Sequence, residues 1–121
     1  MAKPGKSGLE RILDASKYSY QGLRAQWRHE AAFRQETFLF LIALPLAIWL
    51  GDTGLEQAVL IFSVGMVLVV ETLNSSVEAV VDRISNEHHE LSGRAKDLGS
   101  AAVMLTLFLA GVVWLLILFA D

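Results

Sequence analysis

Residues 98–120 form an unbroken run without charge, 23 residues long. As a helix such a run measures about 35 Å, enough to cross the hydrocarbon of a bilayer with some tilt. Two shorter uncharged runs, residues 37–50 and 58–70, precede it. Each becomes a full span only by recruiting neighbours: residues 31–33 before the first, and the half-polar residues 73–81 after the second. A soluble bundle would need a charged face on every helix, and residues 98–120 have none. The pattern therefore predicts an all-α membrane protein with three transmembrane helices, over about 31–50, 55–84 and 98–120.

The second span carries a polar stripe. At 100° per residue, Glu71, Asn74, Ser75, Glu78 and Asp82 fall within about 60° of one line, while Leu73, Val77, Val80 and Val81 cover the opposite side. An isolated ionised carboxylate near the bilayer core costs roughly 3 kcal/mol or more, so two at one-face spacing point to a working site. The plainer alternatives are a helix end leaving the membrane, or polar contacts that hold an oligomer together.

Ahead of the spans, Leu9, Ile12, Leu13, Ser16, Tyr20, Leu23 and Trp27 recur at helical spacing, with Glu10, Asp14, Lys17, Gln21 and Arg24 elsewhere. Basic charge, aromatics and a narrow apolar face predict an amphipathic helix over residues 9–28 lying in the interface. Packing on the protein's own helices is an equal reading, and both can hold. Gly22 is a place for it to bend. Residues 1–8, with Lys3, Pro4, Gly5 and Lys6, read as a frayed tail.

Charge adds orientation. The net charge is −3, but all ten Lys and Arg residues lie either up to the first turns of the first span or from the last turn of the second to the start of the third. The positive-inside rule then places the N-terminus in the cytoplasm and Asp121 outside. No signal peptide is evident, so the first span is expected to act as its own insertion signal. Pro45 is tolerable in a membrane helix and expected to kink it. Trp27 and Trp49 suit the two aromatic belts. At 121 residues the chain reads as one domain.

Several chemistries are excluded. The chain has no cysteine, hence no disulfide or thiolate metal site. Residues 51–54, Gly-Asp-Thr-Gly, form a tight outer turn with glycines too few and wrongly spaced for a phosphate loop. Neither the P-loop motif nor the protein-kinase signature set is present. His88 and His89 point in different directions on a helix and have no third ligand at matching spacing. The inner loop, read as residues 85–97, is dense in hydrogen-bonding side chains.

At ~1.5 Å per residue, Glu71 lies about 16 Å deeper than Asp82 and about 10 Å from Glu78 along the axis. Glu71 and Glu78 are too far apart to hold one ion together, and better placed to serve two ends of a reaction. A carboxyl drawn partly from water suits a general base, the role for Glu71. Glu78, nearer the basic loop, suits a hard cation with phosphate, because Mg²⁺ takes one or two carboxylates plus phosphate oxygens. Glu30 is placed to be the second carboxylate, and Lys96 and Arg11 offer charge to phosphates.

These residues make the chain resemble the prokaryotic diacylglycerol kinase family. The likeness is carried by residues 71–82, by Glu-Ala-Ala-Phe-Arg-Gln-Glu at 30–36, and by His-Glu-Leu-Ser-Gly-Arg-Ala-Lys-Asp at 89–97. It implies a homotrimeric, multi-pass kinase of the bacterial inner membrane, its C-terminus periplasmic. Such an enzyme moves the γ-phosphoryl group of MgATP onto diacylglycerol, a step of phospholipid biosynthesis. It implies Glu71 as catalytic base supported by Asn74, and Glu30 and Glu78 as ligands of the Mg²⁺. ATP would be contacted by Arg11, Tyr18, Glu30, Glu78, Asn86, Glu87, His88, Lys96 and Asp97. The lipid substrate would lie against Arg11, Ala15, Ser16, Lys17, Tyr18, Ser19 and Tyr20, and against Arg24, Ala25, Gln26 and Trp27. It would also meet Ala32, Phe33, Arg34, Gln35, Glu36, Glu71, Ser100 and the outer end of the third span. The Asn86-Glu87-His88 triplet departs from the family's pattern.

The implied partners are diacylglycerol, ATP, the bilayer and two further copies of the chain, with no nucleic acid. A trimer also has a physical motive, since three helices cannot encircle a polar stripe and hide it from lipid. Two other readings are an undecaprenol kinase of the same family and a non-enzymatic small membrane subunit. The second would carry polar residues along a whole span. Here the stripe stops at Glu71, and the outer half of the span is apolar apart from Ser63.

Overall fold

The computed structural model describes residues 7–120, which form four α-helices and, among those residues, no strand. The chain divides into two compact units, Met1–Ala31 and Ala32–Asp121. Most of the expected frayed tail, residues 1–6, lies outside the described residues.

The first unit is built on α1, Gly8–His29. Ser7 caps it, its hydroxyl accepting from the Glu10 backbone N–H at 3.2 Å. Glu10 in the first turn and Arg28 and His29 in the last complement the helix dipole. The helix ends where Glu30 turns extended, its N–H still donating to the Gln26 carbonyl at 2.9 Å. Leu9, Ile12, Leu13, Tyr20, Leu23 and Trp27 all remain exposed. This apolar stripe suits a helix lying at a lipid–water interface.

The second unit holds α2 (Ala31–Leu50, starting one residue before it), α3 (Gly54–Ile84) and α4 (Glu90–Phe119). All three are long and apolar enough to cross a membrane. Pro45 stays inside α2. The α2–α3 turn is held by side chains. Gln57 Nε2 donates to the carbonyls of Ile48 at 2.9 Å and Gly51 at 3.3 Å. Thr53 caps α3 by accepting from the Glu56 N–H, and the Glu56 carboxylate accepts from the Asp52 N–H, both at 3.1 Å. Gly51 has no alternative: a Cβ there would stand 2.7 Å from Gln57 Cγ and 3.0 Å from the Ala47 carbonyl oxygen.

Helices α3 and α4 pack closely and antiparallel. Toward the outer end, Trp114 Nε1 donates to the Leu60 carbonyl at 3.3 Å. Leu60 and Val67 are fully buried, and Ala43 and Ala47 of α2 and Ala110 of α4 are buried as well. Small residues at such contacts let backbones approach, which is how membrane helices gain packing without a hydrophobic driving force. Around this narrow core the outward faces, among them Phe38, Ile42, Leu105 and Phe108, are exposed.

One boundary differs from the sequence reading. The inner loop was expected over residues 85–97, but α4 begins at Glu90, leaving only residues 85–89. His89 ends the loop by capping α4, its Nδ1 accepting from the Leu91 N–H at 3.0 Å. Glu90 and Arg94 then make an i,i+4 ion pair at 3.4 Å. Polar residues 90–97 are thus an amphipathic first two turns of a helix, not a loop.

Candidate active site

The polar stripe of α3 runs between α2 and α4. At its deep end Glu71 is 5% exposed. Its carboxyl group meets that of Glu36 on α2, within hydrogen-bonding reach. Glu36 Oε2 is buried with no hydrogen-bond partner among the described residues. Glu36 belongs to the segment expected against lipid, and no spacing along the chain pairs it with Glu71. The available signal was a carboxylate immediately before the uncharged run 37–50, on a segment expected to be part of the first span.

One turn toward the loop, Asn74 packs against α4 at Gly99. Its Nδ2 donates to Glu78 Oε1 at 3.2 Å, so the amide is tied to Glu78, four residues on. Glu78 is half-buried. Ser75 shares the stripe but turns its hydroxyl onto the Glu71 carbonyl at 3.0 Å, a local helix bond. At the shallow end Asp82 pairs with Lys96 of α4 at 2.7 Å. Lys96, expected to meet phosphate, is held by a carboxylate of its own chain.

Beyond that pair the stripe opens into a pocket of about 350 Å³ lined by Val81, Asp82, the five loop residues Ser85 to His89, Ser92, Gly93 and Lys96. The helix hairpin therefore gathers Asn86, Glu87, His88 and Lys96 around one space. Asp97 and Ser100 are exposed on α4 and do not line it. Asp82, Ser92 and Gly93 do, and only their closeness across the hairpin places them there.

The remaining candidates stand on α1 or at its end. Arg11, Ala15, Lys17, Tyr18, Ser19, Tyr20, Arg24, Ala25 and Trp27 are exposed, while Ser16 donates to the Ile12 carbonyl at 2.9 Å. Gln21, Arg24, Ala25, Arg28 and His29 line a basic hollow of about 270 Å³ on this helix. Glu30 closes the unit as the cap of α1. Of the segment after it, Phe33 is buried and Ala32 and Gln35 are exposed.

One sequence expectation changes in physical detail. Glu71 is already buried within a single chain, so hiding that carboxylate is no motive for a trimer. Among the described residues no three His, Cys, Asp or Glu side chains gather as a metal cluster. A cation here would lean on one or two carboxylates and a ligand's own oxygens, the habit of Mg²⁺ with phosphates.

Fold and site define a class: a small polytopic helical membrane enzyme, its acid–amide stripe running from the buried Glu71 to a polar pocket at one end of the helix hairpin. The model of the prokaryotic diacylglycerol kinase family matches residues 17–118. A diacylglycerol kinase of Escherichia coli K12 is 51% identical over 115 residues, covering 95% of this chain and 94% of the relative. One from Haemophilus influenzae is 51% identical over 113 residues, covering 93% and 96%. One from Helicobacter pylori 26695 is 39% identical over 111 residues, covering 92% and 87%. This chain belongs to the prokaryotic diacylglycerol kinase family. It is a membrane-bound kinase.

Proposed function

We propose that the chain phosphorylates diacylglycerol to phosphatidic acid with MgATP, at the cytoplasmic face of a bacterial inner membrane. The observation that carries this reading is the continuity of one stripe. A buried carboxyl at Glu71 follows directly on the uncharged run 58–70 of its span, and the same helix face leads through Asn74 and Glu78 to the polar pocket at Lys96. Lipid and nucleotide approach such a stripe from opposite ends.

In this reading the Glu71 carboxylate takes the proton of the lipid hydroxyl as that oxygen bonds to the γ-phosphorus and the bond to ADP breaks. Little covalent chemistry is left for the protein beyond positioning and charge. Lys96 exchanges Asp82 for phosphate oxygens, while Asn86, Glu87 and His88 enclose the nucleotide. Arg11, Tyr18 and Asp97 complete its contacts. Glu30 and Glu78 would hold the Mg²⁺, and the hard oxygen donors fit it. When bound, the ion neutralises charge on the phosphate oxygens. Asn74 supports the base in the role that the resemblance implies, and its hydrogen bond to Glu78 also orients that carboxylate. The lipid lies along α1 at residues 15–20 and 24–27, at residues 32–36, and at Ser100.

A homotrimer belongs to the proposal. Its support is the family resemblance, together with exposed apolar faces on all three spans and an apolar groove of about 250 Å³ along them, lined by residues including Ala43, Val67 and Trp114.

The direct test is phosphate transfer from labelled ATP by purified protein in mixed micelles, with diacylglycerol and undecaprenol offered side by side. Phosphatidic acid is the expected product. Transfer to undecaprenol alone would replace the substrate, and no transfer to either would overturn the reading. Orientation rests on the ten Lys and Arg residues gathered on one side. A reporter inserted at His88 is expected to read as cytoplasmic and one fused after Asp121 as external. Both on one side would remove the three-span topology.

A further inference from the structure

Gly99 of α4 stands directly opposite Asn74 of α3, and the space a side chain would need there is already filled. A Cβ on Gly99 would overlap Asn74 Oδ1 and lie 3.1 Å from its Cγ. By contrast, Gly93 and Gly111, also on α4, meet nothing within 4 Å. The amide of Asn74 thus points its oxygen end-on at the α4 backbone. Its Oδ1 is buried without a hydrogen-bond partner among the described residues, so it bears the desolvation penalty of an unmade bond. Its other end donates to Glu78 Oε1 at 3.2 Å. A buried polar atom kept at such cost calls for an explanation. The geometry offers one: the amide is wedged so that Nδ2 has a single direction, toward Glu78.

We infer that Gly99 is a positioning residue for phosphoryl transfer, seating Asn74 and thereby fixing the Glu78 carboxylate that would hold the divalent cation. This rests on the proposed role of Glu78. Partners behind a metal-binding carboxylate commonly matter 10–100-fold for metal affinity. Any side chain at position 99 forces Asn74 to another rotamer and frees Glu78 to turn.

The test measures Mn²⁺ binding by electron paramagnetic resonance, with β,γ-methylene ATP present, on full-length protein in micelles. Gly99→Ala and Asn74→Ala are each expected to raise the Mn²⁺ half-saturation about tenfold or more. The double variant is expected to be no weaker than Asn74→Ala alone, because removing the amide makes room for the new methyl. Unchanged Mn²⁺ binding in Gly99→Ala, or additive losses in the double variant, would overturn the inference. Should Gly99→Ala not fold, the double variant is expected to fold and bind like Asn74→Ala, and its failure to fold would count equally against the idea. Glu78→Gln separates the two claims. If it leaves Mn²⁺ binding unchanged, the metal role of Glu78 falls. If it weakens binding while Gly99→Ala does not, only the positioning role falls.

Discussion

Replacing Glu71 by Gln is expected to lower kcat by about 10²–10⁴-fold, the usual loss for a missing general base, with the KM for MgATP little changed. The substitution keeps the size of the side chain and its ability to hydrogen-bond Glu36 across α2 and α3, so the buried contact survives. What disappears is an oxygen able to take the hydroxyl proton. MgATP binding is spared because the polar pocket begins at Val81, roughly 15 Å along the helix from Glu71 at ~1.5 Å per residue. Steady-state kinetics in mixed micelles check both halves of the expectation. Near-normal kcat in Glu71→Gln would remove the base from Glu71. If Glu36→Gln then abolished turnover, the base would lie on α2.

Glu78→Gln is expected to fail differently. Its carboxylate is half-buried and accepts from Asn74 at 3.2 Å, a bond that Gln Oε1 can keep. The loss is one negative charge facing a cation. We expect the Mg²⁺ or MgATP concentration needed for half-maximal rate to rise about tenfold or more, equivalent to ~1.4 kcal/mol of binding or beyond. Glu30→Gln should move the same parameter in the same direction. Titrating rate against Mg²⁺ at saturating lipid checks this. A fall in kcat at unchanged Mg²⁺ requirement would argue against a metal role for either residue.

The membrane architecture was legible along the chain because the bilayer imposes its own rule. A span must keep about 20 residues largely apolar, and water-facing segments are released from that rule. The amphipathic stripe of α1 and the polar stripe of α3 follow from a period of 3.6 residues, which any folded neighbour leaves unchanged. Where the spans begin was harder. Residues 90–97 are polar enough for a loop, yet His89 supplies a cap and Glu90–Arg94 an i,i+4 pair, and α4 starts eight residues before the apolar run. Hydropathy marks where a helix enters lipid, not where it starts.

The candidate site was legible as a list of side chains and not as an arrangement. Sharing a helix face places Glu71, Asn74, Ser75, Glu78 and Asp82 together, and that much is periodicity. The sequence does not say that Ser75 bonds its own backbone, that Lys96 takes Asp82, or that Glu36 faces Glu71. Those depend on the axial register of α2 and α4 against α3. Register is set by many weak contacts between small residues, Ala43 and Ala47 on α2, Gly65 on α3, Gly99 and Ala110 on α4, none with a signature that a linear pattern carries. The sequence by itself determined that three helices cross the membrane with acid and amide chemistry on the second. The tertiary structure decided which residues meet, because a close approach between helices exists only once a glycine on one has found the asparagine on the other.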